Sequence, residues 1–214
     1  MSQKRHKQIR KDQSVTFDNV FDKRGRSDFE VTTFFDNDNP LILELGCGIG
    51  VYTTALAKRN IDKNYVGVDS KGERIWQAST RATEQKISNA KFVNGYIDYI
   101  DQWVTNKSVQ EIWITFPDPH PREKMQKKRL TSPIFLQKYK NILKDGGVVH
   151  LKTDDEDLFN YSIDTATDFG CTVEQAIANI YKEKKLAQEL EIKTKFEKKW
   201  LEMGKDIFYL RFRF

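Results

Sequence analysis

Glu44-Leu45-Gly46-Cys47-Gly48-Ile49-Gly50 is the segment whose residue types and spacing point most directly to chemistry. Three glycines at alternate positions, after an apolar run and before a helical pattern, make a turn on which a ligand can lie against bare backbone. A dinucleotide turn, G-x-G-x-x-G, needs glycine at position 51, where this chain has Val51. Glu44 argues the same way. A carboxylate there repels a pyrophosphate but can face, directly or through water, a ligand with a positively charged end. Asp69 stands 23 residues after Gly46, at the end of the next apolar run. Its two oxygens there can accept both hydroxyls of a ribose. Asn94, at the end of a third such run, is placed to address an adenine. The plain alternative, a tight turn with Asp69 as a helix cap, is weakened by Glu44 and by the Asp69 spacing.

An acid followed by G-x-G-x-G is the pattern of proteins that bind S-adenosylmethionine, whose methionine end carries an ammonium and a sulfonium. A second constellation, Phe116-Pro117-Asp118-Pro119-His120-Pro121, runs straight into Arg122, Lys124, Lys127, Lys128 and Arg129, against the single acid Glu123. Ligands of open α/β sheets sit outside the carboxyl ends of the strands, so Asp118 is expected in the cofactor's crevice. Prolines on both sides hold that carboxylate in place before a substrate arrives. Asp154, in Lys152-Thr153-Asp154-Asp155, takes the matching position one strand later. For Asp154 an ordinary helix cap and a site role remain equal readings.

These residues need strands and helices in alternation. Strands are expected at 41–45, 65–68, 91–93, 111–116, 148–152, 171–177 and 207–214. Helices are expected at 51–60, 71–87, 97–103 and 155–169, with another opening at Ser132-Pro133 and closing at Asp145-Gly146-Gly147. The alternation from residue 41 to 177 predicts an α/β fold, Rossmann-like, with a mostly parallel, doubly wound sheet. The last strand follows a stretch of seven lysines and four glutamates, 182–199, read as a long charged helix. It is therefore expected to run antiparallel, at or near an edge. No internal repeat or low-complexity linker divides the chain. A basic, mobile N-terminal arm over residues 1–30 and a single domain over 31–214 are expected.

Composition excludes several classes. With 214 residues, 38% apolar and 31% charged, the chain can bury about 70% of the surface its unfolded form exposes. No run approaches the roughly 18 apolar residues of a membrane span. The first seven residues lead into no apolar stretch of the kind a secretory signal needs. Two cysteines, Cys47 and Cys171, are too few for a disulfide framework or a Cys-rich zinc site, and three histidines without H-x-x-x-H spacing make no metal site. A reduced, cytoplasmic protein without metal or membrane is expected. Cys47, with no basic partner near it in sequence, is read as a small buried residue rather than a nucleophile. Of the five net positive charges, about four sit in the first twelve residues. That arm and the basic block after Asp118 favour a polyanionic partner, because Lys and Arg release counterions from phosphate. Charge alone leaves RNA, DNA and an acidic membrane open.

The loop and basic block from 116 to 130, Lys152-Thr153-Asp154 and Thr194-Lys195-Phe196-Glu197 resemble the bacterial tRNA (guanine-46-N7)-methyltransferase family, from about residue 40 to the C-terminus. The resemblance implies a class I methyltransferase fold with tRNA as substrate and S-adenosylmethionine as cofactor. It implies that Glu44, Asp69, Asn94 and Asp118 line the cofactor site beside Gly46 and Gly48, with Asp118 catalytic. It further implies that Arg122, Asp154, Thr194, Lys195, Phe196 and Glu197 hold the target guanosine, while Lys124, Lys127, Lys128 and Arg129 meet phosphates. Either Glu197 or Asp154 would read N1–H and the exocyclic amine. The chain departs from the family at His120, where tryptophan is usual, at Arg122, where lysine is usual, and near Met125, where histidine is usual. The alternative is a non-catalytic RNA-binding protein on the same fold, for which a broken cofactor turn would speak; Glu44, Gly46, Gly48 and Asp69 are all present. Monomer and homodimer are both open.

Overall fold

The computed structural model describes residues 17–22 and 30–214. In chain order the elements are β1 (Val20–Asp22), β2 (Leu41–Leu45), α1 (Val51–Arg59), β3 (Asn64–Asp69), α2 (Gly72–Glu84), β4 (Ala90–Asn94), β5 (Val109–Thr115), α3 (Pro133–Ile142), β6 (Leu143–Thr153), α4 (Glu156–Asp168), β7 (Thr172–Ile177), α5 (Lys195–Glu202) and β8 (Phe208–Arg213). They form one eight-stranded sheet in the order β1-β4-β3-β2-β5-β6-β8-β7. Strands β1 to β6 pair in parallel, and β8 runs antiparallel between β6 and β7. The chain winds outward from β2 through β3 and β4, then returns to lay β5 on the other side of β2. That reversal opens a crevice outside the carboxyl ends of β2 and β5.

Every residue of β2 and β3 is buried, as parallel strands covered on both faces require. On one face α1, α2 and the apolar residues Ile180, Leu190 and Ile192 pack over Ile42, Tyr65, Trp113 and Tyr209. On the other, α3 and α4 pack over Leu43, Val66, Ile112 and Leu210. Each such side chain, fully buried, stabilises by about 1.5–3 kcal/mol relative to exposure. Gly50 precedes α1 with φ of +69°, and a Cβ there would stand 2.6 Å from Ala78 Cβ. Glycine therefore serves both the left-handed turn and the close approach of α1 to α2.

Several local expectations are corrected. The helix opened by Pro133 stops at Ile142 rather than at 145–147. Leu143 is already extended (φ −71°, ψ 139°) and pairs with Val109, and Gly146 lies in the irregular start of β6, where the register to β5 shifts. The Ser132 hydroxyl does not cap that helix; it donates to the Lys127 carbonyl at 3.1 Å. The long charged helix does not form either. Only a 3-10 turn, Ile180–Lys182, and the eight residues of α5 are helical there. Between them the carbonyls of Leu190 and Ile192 accept from Lys152 Nζ at 2.8 and 3.1 Å, so this backbone serves a buried side chain instead of a helical ladder. Of the expected arm, residues 1–16 and 23–29 lie outside the described residues. Within it, Val20–Asp22 add the edge strand beside β4, with Phe21 edge-on to Phe34 at 5.1 Å. Among the described residues no helix is long and apolar enough to cross a membrane.

Candidate active site

Glu44 ends up buried near the end of β2, and the turn after it brings the start of α1 back over its carboxylate. Glu44 Oε2 accepts from Thr53 N at 2.8 Å and from the Thr53 hydroxyl, while Oε1 accepts from the Thr115 hydroxyl at 2.7 Å. The first turn of a helix leaves backbone N–H groups without intrahelical partners, so Glu44 acts as an N-terminal cap supplied by the preceding strand. Burial pushes the Glu44 carboxyl up to about 7, against the opposing pull of the Thr53 and Thr115 hydrogen bonds. One strand over, Asp69 Oδ1 accepts from Lys71 N at 2.8 Å, and Oδ2 accepts from Gly48 N and Arg74 Nη1, both at 3.2 Å. Asp69 thereby ties the glycine turn to the start of α2. Asn94 is fully buried behind the cavity wall, which is formed at that point by Gly95, Tyr96, Ile97 and Asp98.

The opposite side of the crevice is built from segments far apart in sequence. The 116–121 loop leaves β5 with left-handed backbone at Phe116 (φ 50°) and His120 (φ 45°). Such conformations in non-glycine residues are strained and mark places that the surroundings over-determine. The surroundings here are Arg129, whose Nε donates to the Pro119 carbonyl at 2.9 Å and whose guanidinium lies 4.4 Å from the Tyr161 ring centroid. Arg129 is only 3% exposed. Its expected place on the RNA-facing surface is corrected: it braces the loop that carries Asp118. Arg122, Lys124 and Lys127 are exposed, around a 3-10 turn with no buried residue.

The tetrad 194–197 divides in two. Thr194 and Glu197 form a capping box at the start of α5, with Thr194 Oγ1 accepting from Glu197 N at 3.1 Å. Glu197 is fully buried, its carboxylate 2.7 Å from Lys152 Nζ and 2.7 Å from the Tyr181 hydroxyl. Its expected contact with a base is therefore corrected: both sides of that ion pair are sealed from solvent. Burial lowers the Lys152 ammonium, and the Glu197 carboxylate opposes that. Phe196 is 56% exposed and, with Lys195, faces the crevice.

These parts surround one cavity of about 950 Å³. Of the expected residues it gathers Glu44, Gly46, Gly48, Asp69, Asp118, Lys128, Asp154, Thr194, Lys195 and Phe196, and it leaves out Asn94, Arg122, Lys124, Lys127, Arg129 and Glu197. Carboxylates from Glu44, Asp69, Asp118 and Asp154 and ammonium groups from Lys71, Lys128, Lys195 and Lys205 share its lining. That suits a ligand with a cationic end together with a polyanion. Arg74, Trp200 and Lys205 line the cavity and Lys152 is buried against Glu197, and none of these placements was expected from the sequence. Two signals were available: Thr194-x-x-Glu197 is a capping-box pattern, and a lysine closing the apolar run before Thr153 needs an acid partner once buried.

The chain matches the model of a family described as putative methyltransferases over residues 38–210. A tRNA (guanine-N(7)-)-methyltransferase of Christiangramia forsetii is 43% identical over 92% of this chain and 87% of its own. One from Bacteroides fragilis is 40% identical over 91% and 76%. Among solved structures, the 16S rRNA methyltransferase KamB superposes with a TM-score of 0.66 at 13% identity, covering 90% of this chain and 97% of that one. A SAM-dependent methyltransferase from Aquifex aeolicus gives 0.56 at 13% identity, with 82% and 84% covered. The two structural likenesses bear on the fold alone.

Proposed function

The chain belongs to the tRNA (guanine-N(7)-)-methyltransferase family, and we propose from that premise that it methylates N7 of a variable-loop guanine in tRNA, in the cytoplasm, using S-adenosylmethionine. The observation that carries this reading is the single cavity in which Glu44, Asp69, Asp118 and Asp154 converge beside exposed lysines. Its donor set fits the cofactor: a buried carboxylate beside a left-handed glycine turn for the cationic methionine end, and Asp69 at a strand end for ribose hydroxyls. When bound, S-adenosylmethionine supplies an electrophilic methyl group on sulfonium.

Guanine N7 carries a lone pair and no proton, so the protein needs no strong general base. What it must supply is alignment and compensation for the positive charge that grows on the purine. Asp118 stands exposed on the rim of the cavity, on a loop stiffened by Pro117 and Pro119 and held by Arg129. It is the carboxylate we assign to that developing charge. Asp154 accepts from the donors on the guanine edge, a task that falls to it alone now that Glu197 is committed to Lys152. Lys124, Lys127 and Lys128, with the basic residues of the segment before residue 31, hold phosphates and set position without reading sequence, and Arg122, expected at the guanosine but lying outside the cavity lining, joins them.

The test is methyl transfer from labelled S-adenosylmethionine to unmodified tRNA transcripts, one of them lacking the variable-loop guanine. Label entering the first and sparing the second is expected. Transfer to neither transcript, with tRNA still bound in a salt-dependent way, would overturn the reading. Asp118→Ala should lower kcat by about 10²–10³, and near-normal turnover would remove Asp118 from its role.

A further inference from the structure

On the substrate side of the cavity, Lys205 Nζ lies 2.6 Å from Asp154 Oδ2, and Asp154 Oδ1 has no partner among the described residues. We propose that these two residues act as a pair that reads the target guanine: Asp154 accepts from N1–H and the exocyclic amine, and Lys205 donates to O6. This deepens the reading of the chain as a guanine-N7 methyltransferase and rests on it.

Lys205 is held for such a task. Gly204, with φ of +72°, turns the chain after α5, and Lys205 N donates to the Trp200 carbonyl at 3.0 Å. Its ammonium lies 4.2 Å from the Trp200 ring centroid, a cation–π contact that fixes the long side chain over the cavity wall. The Asp154 side chain is 16% exposed and that of Lys205 41%, so the pair sits at the mouth of the cavity with its carboxylate the better shielded partner. The Watson–Crick edge of guanine presents acceptor, donor, donor; a lysine beside an aspartate presents donor, acceptor, acceptor. Adenine inverts the first two terms, setting its C6 amine against the ammonium and its N1 lone pair against the carboxylate. Reading from that edge leaves N7 uncovered for the methyl group. Phe196, exposed on the same wall, offers a face on which an extruded base can stack. Without the base, Lys205 keeps Asp154 paired and aimed into the cavity.

The test replaces the target guanosine of a tRNA transcript by 6-thioguanosine, which keeps N1–H and the amine but offers sulfur, a weaker acceptor, in place of O6. N7-methylated nucleoside is quantified by mass spectrometry. Wild-type protein is expected to prefer guanosine by about tenfold in kcat/KM. Lys205→Met should lose about tenfold or more on guanosine and show no preference, while Lys205→Gln, which keeps a donor, should retain part of it. A Lys205→Met variant with the wild-type preference would overturn the proposal, as would equal losses on both transcripts, which would mark Lys205 as a phosphate contact. Failure of the wild-type protein to methylate either transcript would remove the underlying reading and the inference with it.

Discussion

The two sides of the cavity are built by different means. The cofactor side comes mostly from one strand, one turn and the first turn of the following helix: Glu44, Gly46, Gly48 and Thr53 lie within about ten residues, Asp69 joins through a hydrogen bond from Gly48 N, and the Thr115 hydroxyl reaches Glu44 from β5. The substrate side assembles residues 118, 154, 194 and 205, held by buried Arg129 behind the Asp118 loop and by a sealed ion pair, Lys152 with Glu197, that also ties down the 190–192 backbone. A motif built mostly from neighbours in sequence can be read from the sequence. A surface assembled over long range depends on a few buried polar contacts and is exposed to their loss. The cofactor side should therefore be sensitive to pH and ligand, and the substrate side to mutation.

The largest test of that difference is Glu197→Ala. It leaves an ammonium without its counter-charge in the interior and should destabilise by about 3–5 kcal/mol, seen as a lower urea midpoint. The double variant Lys152→Met, Glu197→Leu should recover part of the loss. An unchanged midpoint for Glu197→Ala would show that the substrate side stands without the pair.

Next in size is the pH response of Glu44. Its folded pKa of about 7 lies above the ordinary 4.5, so the folded state binds the proton more tightly than the unfolded one. The stability linked to Glu44 is complete below about 4.5 and is lost as pH rises through 7. Glu44→Gln should therefore gain up to about 3 kcal/mol relative to wild type between pH 4.5 and 8, measured as thermal unfolding without ligand. The same substitution should weaken binding of S-adenosylmethionine at pH 8, because the carboxylate that faces its positive end is gone. Parallel melting curves for the two proteins across that range would sink the assignment.

A smaller effect separates ligand contacts from scaffold. Asp69→Asn should weaken S-adenosylmethionine by about tenfold to hundredfold, the worth of charge-assisted hydrogen bonds to a ribose, in calorimetric titration. Equal affinity would leave Asp69 as a mere tie for the turn. The least change is expected for Thr194→Ala, which removes one half of the capping box and should cost about 1 kcal/mol. That loss should be accompanied by weaker tRNA binding and unaltered cofactor binding, since Thr194 opens α5 on the substrate wall. Equal losses in both would show that the two sides are not separable.

Strand–helix alternation and the run 41–45 made the parallel sheet legible, because strands buried on both faces must be apolar throughout. The glycine turn, Glu44 and Asp69 were legible for a similar reason: their geometry is set by neighbours in sequence. Asp118 was placed by the rule that ligands sit at strand ends, and the cavity contains it. Arg129 and Glu197 were not legible as braces. A charged side chain in a basic block or a polar tetrad carries no mark of its burial, and only the packing of α4 behind Arg129 and of Tyr181 against Glu197 reveals it.

The sequence by itself therefore determined the sheet apart from its edge strand β1, its parallel core, the glycine turn and the acids that flank it, because periodicity, glycine and proline act over a few residues. The tertiary structure decided which charges face the cavity and which are spent inside the protein. It alone brought Lys205 to Asp154 across some fifty residues and Glu197 to Lys152 across about forty-five. Desolvation is the physical reason: a charge is worth little in water and much when water is removed, and which charges lose their water depends on the folded chain.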